Sequence, residues 1–186
     1  MKRVAEQTEV KWKNIDIGAS YYCITATCTE WLPLLNNAEA RRVVCEEIAR
    51  ALKECGGFLS AYVLMPDHIH LLVYLPDGEM LHRFNRRWRG RSARRIIELA
   101  KARNASKLLD VMAKHANGKA QYAVWKEQTR DLAIWSKQKL YAMVDYIHAN
   151  PVQKRLVEHP GDWAFSSWRF YEAEGCADFE IVPLVV

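Results

Sequence analysis

Tyr62-Val63-Leu64-Met65-Pro66-Asp67-His68-Ile69-His70-Leu71-Leu72-Val73-Tyr74 reads as two apolar strands that meet at a short Pro-Asp break. Side chains on a strand alternate faces with a period of two. His68 and His70 therefore share one face, and Ile69, Leu71 and Val73 take the other, where an apolar partner can cover them. Two imidazoles close together on a rigid strand form half of a metal site. Taken alone they fit hydrogen-bonded core or surface histidines equally well, so the rest of the chain must decide between the two.

Outward from this stretch, Phe58 to Met65 and His68 to Leu75 form the paired strands, closed by Pro76-Asp77-Gly78. Upstream, Tyr21 to Thr27 is rich in aromatic and β-branched residues and predicts a first strand. Trp31 to Asn37 reads as a loop. Ala38 to Glu54 carries Val43, Val44, Ile48, Ala51 and Leu52 at helical spacing and is stopped by Gly56-Gly57. Downstream, Glu79 to Arg103 predicts a long helix, and Ala105 to Lys119 a shorter helix or insertion. Gln121 to Lys126 looks like a fourth strand. A last helix is expected from about Asp131 to Asn150, ended by Pro151. Phe179 to Val185 suggests an edge strand. The order strand, helix, strand, strand, helix, strand is the split β-α-β pattern of an α+β, ferredoxin-like sandwich. It makes the first and third strands central and turns His68 and His70 away from the two crossover helices. The final helix is left to cover that face.

At 186 residues the chain can bury a sizeable core, and it is read as one domain over 1–186, with a core at about 20–150 and an extension at 151–186. A net charge of +5 permits a polyanionic partner. The five cysteines, odd in number and without a C-x-x-C pair, suggest reduced thiols rather than a disulfide frame or zinc cage. The N-terminus lacks the apolar run of a signal peptide, and no apolar stretch approaches the roughly 20 residues of a membrane span. A cytoplasmic protein without a membrane partner is expected.

The final helix changes the weight of the histidine pair. Leu140, Val144 and Ile147 supply its packing stripe, while Tyr146 and Asn150, at i and i+4, present a hydroxyl and an amide to one place. His148 is about two 100° steps from Tyr146 and points elsewhere. A helical tyrosine is more often a packed aromatic, and asparagine before proline is an ordinary helix stop. It is the combination with His68 and His70 that carries weight.

At these residues the chain resembles the REP-associated tyrosine transposases of the single-strand HUH superfamily. The resemblance rests on Tyr62 to Leu72, on Val144-Asp145-Tyr146-Ile147-His148-Ala149-Asn150-Pro151-Val152, and on Asp162-Trp163-Ala164-Phe165-Ser166-Ser167. It implies a ferredoxin-like core with the catalytic tyrosine on a C-terminal helix. It further implies that His68 and His70 bind a divalent cation, that Asn150 supplies the third ligand, and that Tyr146 is the nucleophile. Family members often carry Asn where this chain has Asp67, which could serve as a ligand, as a partner of the histidines or as a turn cap. The implied reaction is cleavage and rejoining of single-stranded or hairpin DNA, with REP-like palindromic repeats as partners and a 5′-phosphotyrosine intermediate. The implied protein is nucleoid-associated, a monomer or a homodimer.

These residue types suit that chemistry. A tyrosine of ordinary pKa near 10 is roughly one part in a thousand phenolate at neutral pH. A cation on two imidazoles and an amide oxygen offsets the charge that develops on a scissile phosphate, and the mixed shell fits Mg²⁺ or Mn²⁺. The phosphodiester energy is retained, so no nucleotide cofactor is expected. Arg83 to Arg95, with Phe84 and Trp88 among the charges, suits a nucleic-acid surface, although a basic helix face with both aromatics in the core reads as well. The cluster from Trp163 to Trp168 reads as packing. Two other functions compete: a domesticated DNA-hairpin binder that has lost cleavage, and a metal hydrolase that activates water and does not need Tyr146.

Overall fold

The computed structural model describes residues 20–118, 120–172 and 181–182. In chain order its elements are β1 (Ser20–Thr27), α1 (Ala38–Cys55), β2 (Phe58–Leu64), β3 (His68–Leu75), α2 (Met80–Ala102), α3 (Ser106–Lys114), β4 (Arg130–Ile134), α4 (Lys137–Gln153) and α5 (Trp168–Tyr171). The four strands form one antiparallel sheet in the order β2-β3-β1-β4, with β1 and β3 central, as the split β-α-β reading requires. No helix among the described residues is long and apolar enough to cross a membrane.

The alternation along β3 divides the molecule into two cores. Ile69, Leu71 and Val73 join Ile24, Val44, Ile48, Phe84 and Trp88 beneath α1 and α2. Leu72 joins Cys23, Val63, Met65, Ile134, Leu140, Val144 and Ile147 on the opposite face, beneath α4. The Leu140, Val144 and Ile147 stripe thus buries where its spacing predicts. Asn37 caps α1 by accepting from the amides of Glu39 and Ala40, and Gly56 ends that helix in the left-handed region at φ 66°.

Three assignments differ from expectation. Gln121 to Lys126 is not the fourth strand. Val124 and Trp125 plug the helix-side core, where the Trp125 indole N–H donates to Ser92 Oγ at 3.1 Å and its ring meets Trp88 edge-on at 5.1 Å. The strand is Arg130–Ile134, paired with the free side of β1 from Tyr21↔Ile134 to Thr25↔Arg130. It takes up residues first assigned to the last helix, which instead begins after Ser136, whose hydroxyl accepts from the Lys139 amide. Pro151 does not stop that helix. It sits in the final turn, which runs to Gln153 and closes with a 2.9 Å bond from the Lys154 amide to the Asn150 carbonyl. A proline so close to a helix end removes one donor and leaves the rest of the ladder intact.

Phe84 and Trp88 are fully buried, so the core reading of those aromatics holds. The arginines around them are largely committed to the fold. Arg87 and Arg91 reach Glu54 at 2.8 and 2.9 Å, and Arg95 reaches Glu46 and Glu47 at 2.6 and 3.0 Å, lacing α2 to α1. Arg89 donates to the carbonyls of Lys126 and Glu127.

The segment after α4 fastens that helix to the sheet. The Leu64 amide donates to the Phe165 carbonyl, the Ser167 amide to the Tyr62 carbonyl, and the Val182 amide to the Leu59 carbonyl, so this segment covers the outer side of β2. Ser167 Oγ accepts from the Tyr62 amide at 2.9 Å and lies 2.8 Å from Nε2 of buried His148 on α4. Most of the expected Phe179 to Val185 strand lies outside the described residues, but Ile181 makes a parallel bridge to Leu59. Ser167→Ala leaves the buried Tyr62 amide and His148 without this hydroxyl, so it should cost about 1–3 kcal/mol. Urea denaturation measures that cost, and an unchanged midpoint would refute the role of the hydroxyl as a fastener.

Candidate functional site

Position on β3 decides where the histidines sit. Paired opposite Thr27 and Thr25 of β1, His68 and His70 project to the α4 side of mid-sheet. Their ring centroids are 5.0 Å apart and nearly perpendicular, and both residues are buried. Each ring is anchored through Nδ1. The His68 Nδ1–H donates to Asp67 Oδ1 at 2.6 Å, and His70 Nδ1 lies 2.8 Å from Thr25 Oγ1. Such contacts fix the orientation of each ring, and the Asp67 carboxylate sets the His68 tautomer so that its Nε2 can accept or ligate. Asp67 therefore acts as a partner of His68, one of the three roles its position allows.

Helix α4 brings the other half. Tyr146 places its ring 5.3 Å from that of His70, within the same chain, and remains 39% exposed. Asn150 is buried one turn on. Its amide N–H donates to the Tyr146 carbonyl at 2.7 Å, and the side chain lies close enough to His70 to favour its protonated form. That bond back to its own helix holds the Asn150 amide in one orientation beside the histidine pair. All four residues singled out from the sequence come together at one place. His148, as expected, lies elsewhere.

The donor chemistry fits a divalent ion. Two imidazoles with oriented rings and an amide oxygen close to one of them make a mixed N,O set. Among the described residues no group of three or more His, Cys, Asp or Glu side chains could hold a metal. Two imidazoles and one amide would fill only part of a divalent ion's shell.

Burial pushes the His70 imidazole down to about 4, helped by the neighbouring His68 and by Lys154 and opposed by the Asn150 side chain. Burial alone pushes His148 down to about 4. Both are neutral at pH 7, the form in which a ring nitrogen can accept or ligate.

Sequence reasoning passed over Thr25 and Trp31. Thr25 is recoverable only from the β1–β3 register, which sets it opposite His70. Trp31 lies in what reads as a loop, yet its ring stands edge-on to His68 with centroids 6.5 Å apart.

The model of the IS200-like transposase family matches residues 17–149, which include both histidines and Tyr146. The chain belongs to the IS200-like transposase family. Within the family, it is 29% identical over 117 residues to the REP-associated tyrosine transposase of Escherichia coli K12, a match spanning 63% of this chain and 58% of that protein. The chain therefore aligns with little more than half the length of this curated relative. Its fold superposes with a TM-score of 0.63 on a REP-associated tyrosine transposase solved bound to a REP hairpin, over 95% of this chain and 91% of that one at 18% identity. The resemblance read from the sequence and the α+β fold class are both borne out.

The depressed imidazoles set an acid limit. The unfolded chain takes up a proton near the ordinary histidine pKa of 6.5, whereas the folded chain resists until about 4. Stability is therefore full above about 6.5 and is lost as pH falls toward 4, on the order of 3 kcal/mol for each histidine. Urea midpoints in chelator at pH 7 and 4.5 should show the loss, and His148→Gln should roughly halve it. A pH-independent midpoint would contradict the burial argument.

Proposed function

We propose that the chain is a metal-dependent strand transferase that cleaves and rejoins single-stranded or hairpin DNA through Tyr146. The observation that supports this best is the 5.3 Å approach of the Tyr146 ring to His70, itself oriented by Thr25. A lone histidine pair would serve a water-activating hydrolase equally well. A partly exposed tyrosine held at its edge favours attack by the phenol.

In this reading the Tyr146 oxygen attacks the scissile phosphorus and forms a P–O bond as the P–O3′ bond breaks. The phenolic proton leaves at the exposed side of the ring, and the departing 3′ oxygen takes up a proton. The product is a 5′-phosphotyrosine and a free 3′-hydroxyl, and a later 3′-hydroxyl reverses the step to join new ends. Mg²⁺ or Mn²⁺ held by His68, His70 and Asn150 would supply charge neutralisation at the phosphate oxygens. Asp67 and Thr25 hold the two rings in register, and the Asn150–Tyr146 hydrogen bond keeps the nucleophile's turn in place. The substrate proposed is a hairpin of the REP palindromic type, in line with what the solved relative binds.

Incubation with hairpin oligonucleotides from the gene's own flanks, in Mn²⁺, should give a covalent protein–DNA adduct on a denaturing gel. The adduct should vanish in Tyr146→Phe and with chelator, and fall at least a hundredfold in His70→Ala. An undiminished adduct in Tyr146→Phe would sink the assignment. Tight binding without any nicking would point instead to a silent hairpin-binding protein.

A further inference from the structure

Trp31 is 57% exposed and stands at the mouth of the histidine site. A single exposed aromatic is ordinary; what sets Trp31 apart is that the surrounding structure holds it beside His68. Glu30 and Trp31 are consecutive bulky residues in the left-handed region, at φ 46° and 54°, a conformation that L-residues adopt only when their surroundings impose it. The surroundings do so. The Trp31 amide donates to the Cys28 carbonyl at 3.1 Å, the Thr29 amide to the Val124 carbonyl at 2.8 Å, and the Glu30 carboxylate lies 3.4 Å from His115 Nδ1. Lys126 places its ammonium 4.2 Å from the centre of the Trp31 ring. Lys126 is itself pinned, its amide donating to the Thr27 carbonyl at 2.8 Å and its carbonyl accepting from Arg89.

We infer that Trp31, braced by Lys126, is a stacking platform for an unpaired nucleobase of the DNA strand next to the phosphate bound at His68 and His70. The inference rests on the strand-transfer reading and adds the contact that holds the strand outside the reacting centre. An indole offers the largest π-face among side chains, and base–aromatic stacking needs unpaired DNA but little base identity. Lys126 supplies a positive charge within reach of the adjoining phosphate. The left-handed turn makes the platform rigid before DNA arrives, so little side-chain freedom is lost on binding. The alternative use of the ring is to pack against His68 and orient it.

The two uses separate in a binding experiment on Tyr146→Phe, in which no cleavage intervenes. The probe is a labelled hairpin oligonucleotide from the gene's flanks with a single-stranded foot, carrying one abasic residue walked along that foot. One or two abasic positions should weaken binding about tenfold. In the Trp31→Ala, Tyr146→Phe double variant the same abasic residues should cost less than about twofold, and Trp31→Phe should restore most of the sensitivity. Lys126→Ala should weaken binding to every foot and lower the slope of log affinity against log salt by about 0.7. An abasic profile that Trp31→Ala leaves unchanged would overturn the platform while leaving the DNA substrate intact. If no form of the protein binds the foot-bearing hairpin, the strand-transfer reading falls, and the platform with it.

Discussion

The structure turns on the two-residue period of β3. One backbone must feed an apolar core beneath α1 and α2 and carry two imidazoles on its other side, and strand geometry permits this only if every second residue is committed each way. A slip of one residue would bury His68 and His70 among Ile48 and Trp88 and would expel Leu71. Register is therefore protected by the core itself, and the site inherits that protection. The β1–β3 pairing adds Thr25 opposite His70, so the same ladder that stabilises the sheet also orients the ring.

Most of this logic was legible in the residues. His68 and His70 announce their shared face through simple alternation, and Leu140, Val144 and Ile147 announce the face of α4 that packs. The failures have physical causes. Gln121 to Lys126 carries strand-forming residue types, but Val124 and Trp125 fill the volume beside Trp88 rather than extend a ladder. Asp131 to Ile134 has helix-compatible residues, yet the free side of β1 needed backbone partners and these residues supply them. Thr25 and Trp31 escaped because their roles depend on contacts across the fold, to which local pattern is blind.

The arginines of α2 show the same limit from the other side. Eight Lys and Arg side chains against the single acid Glu98 look like a nucleic-acid surface when α2 is read alone. The counter-charges sit on α1, at Glu46, Glu47 and Glu54, and come into view only when the two helices pack. Exposed ion pairs contribute little one at a time, but this laced set fixes how the helices cross above the sheet. Positive charge reaches the site from elsewhere as well: Lys154 just past α4, and Lys126 above Trp31.

The fastening of α4 by Ser167 and its neighbours also has a consequence in time. A polypeptide emerges from its N-terminus, and a contact can form only once both of its partners have been made. The β3 histidines and their Thr25 and Asp67 partners are complete by residue 70, whereas the helix bearing Tyr146 gains its Ser167 and Tyr62 anchorage only when the chain has grown almost a hundred residues further. The approach of Tyr146 to His70 is therefore secured only after residue 167 has joined the fold.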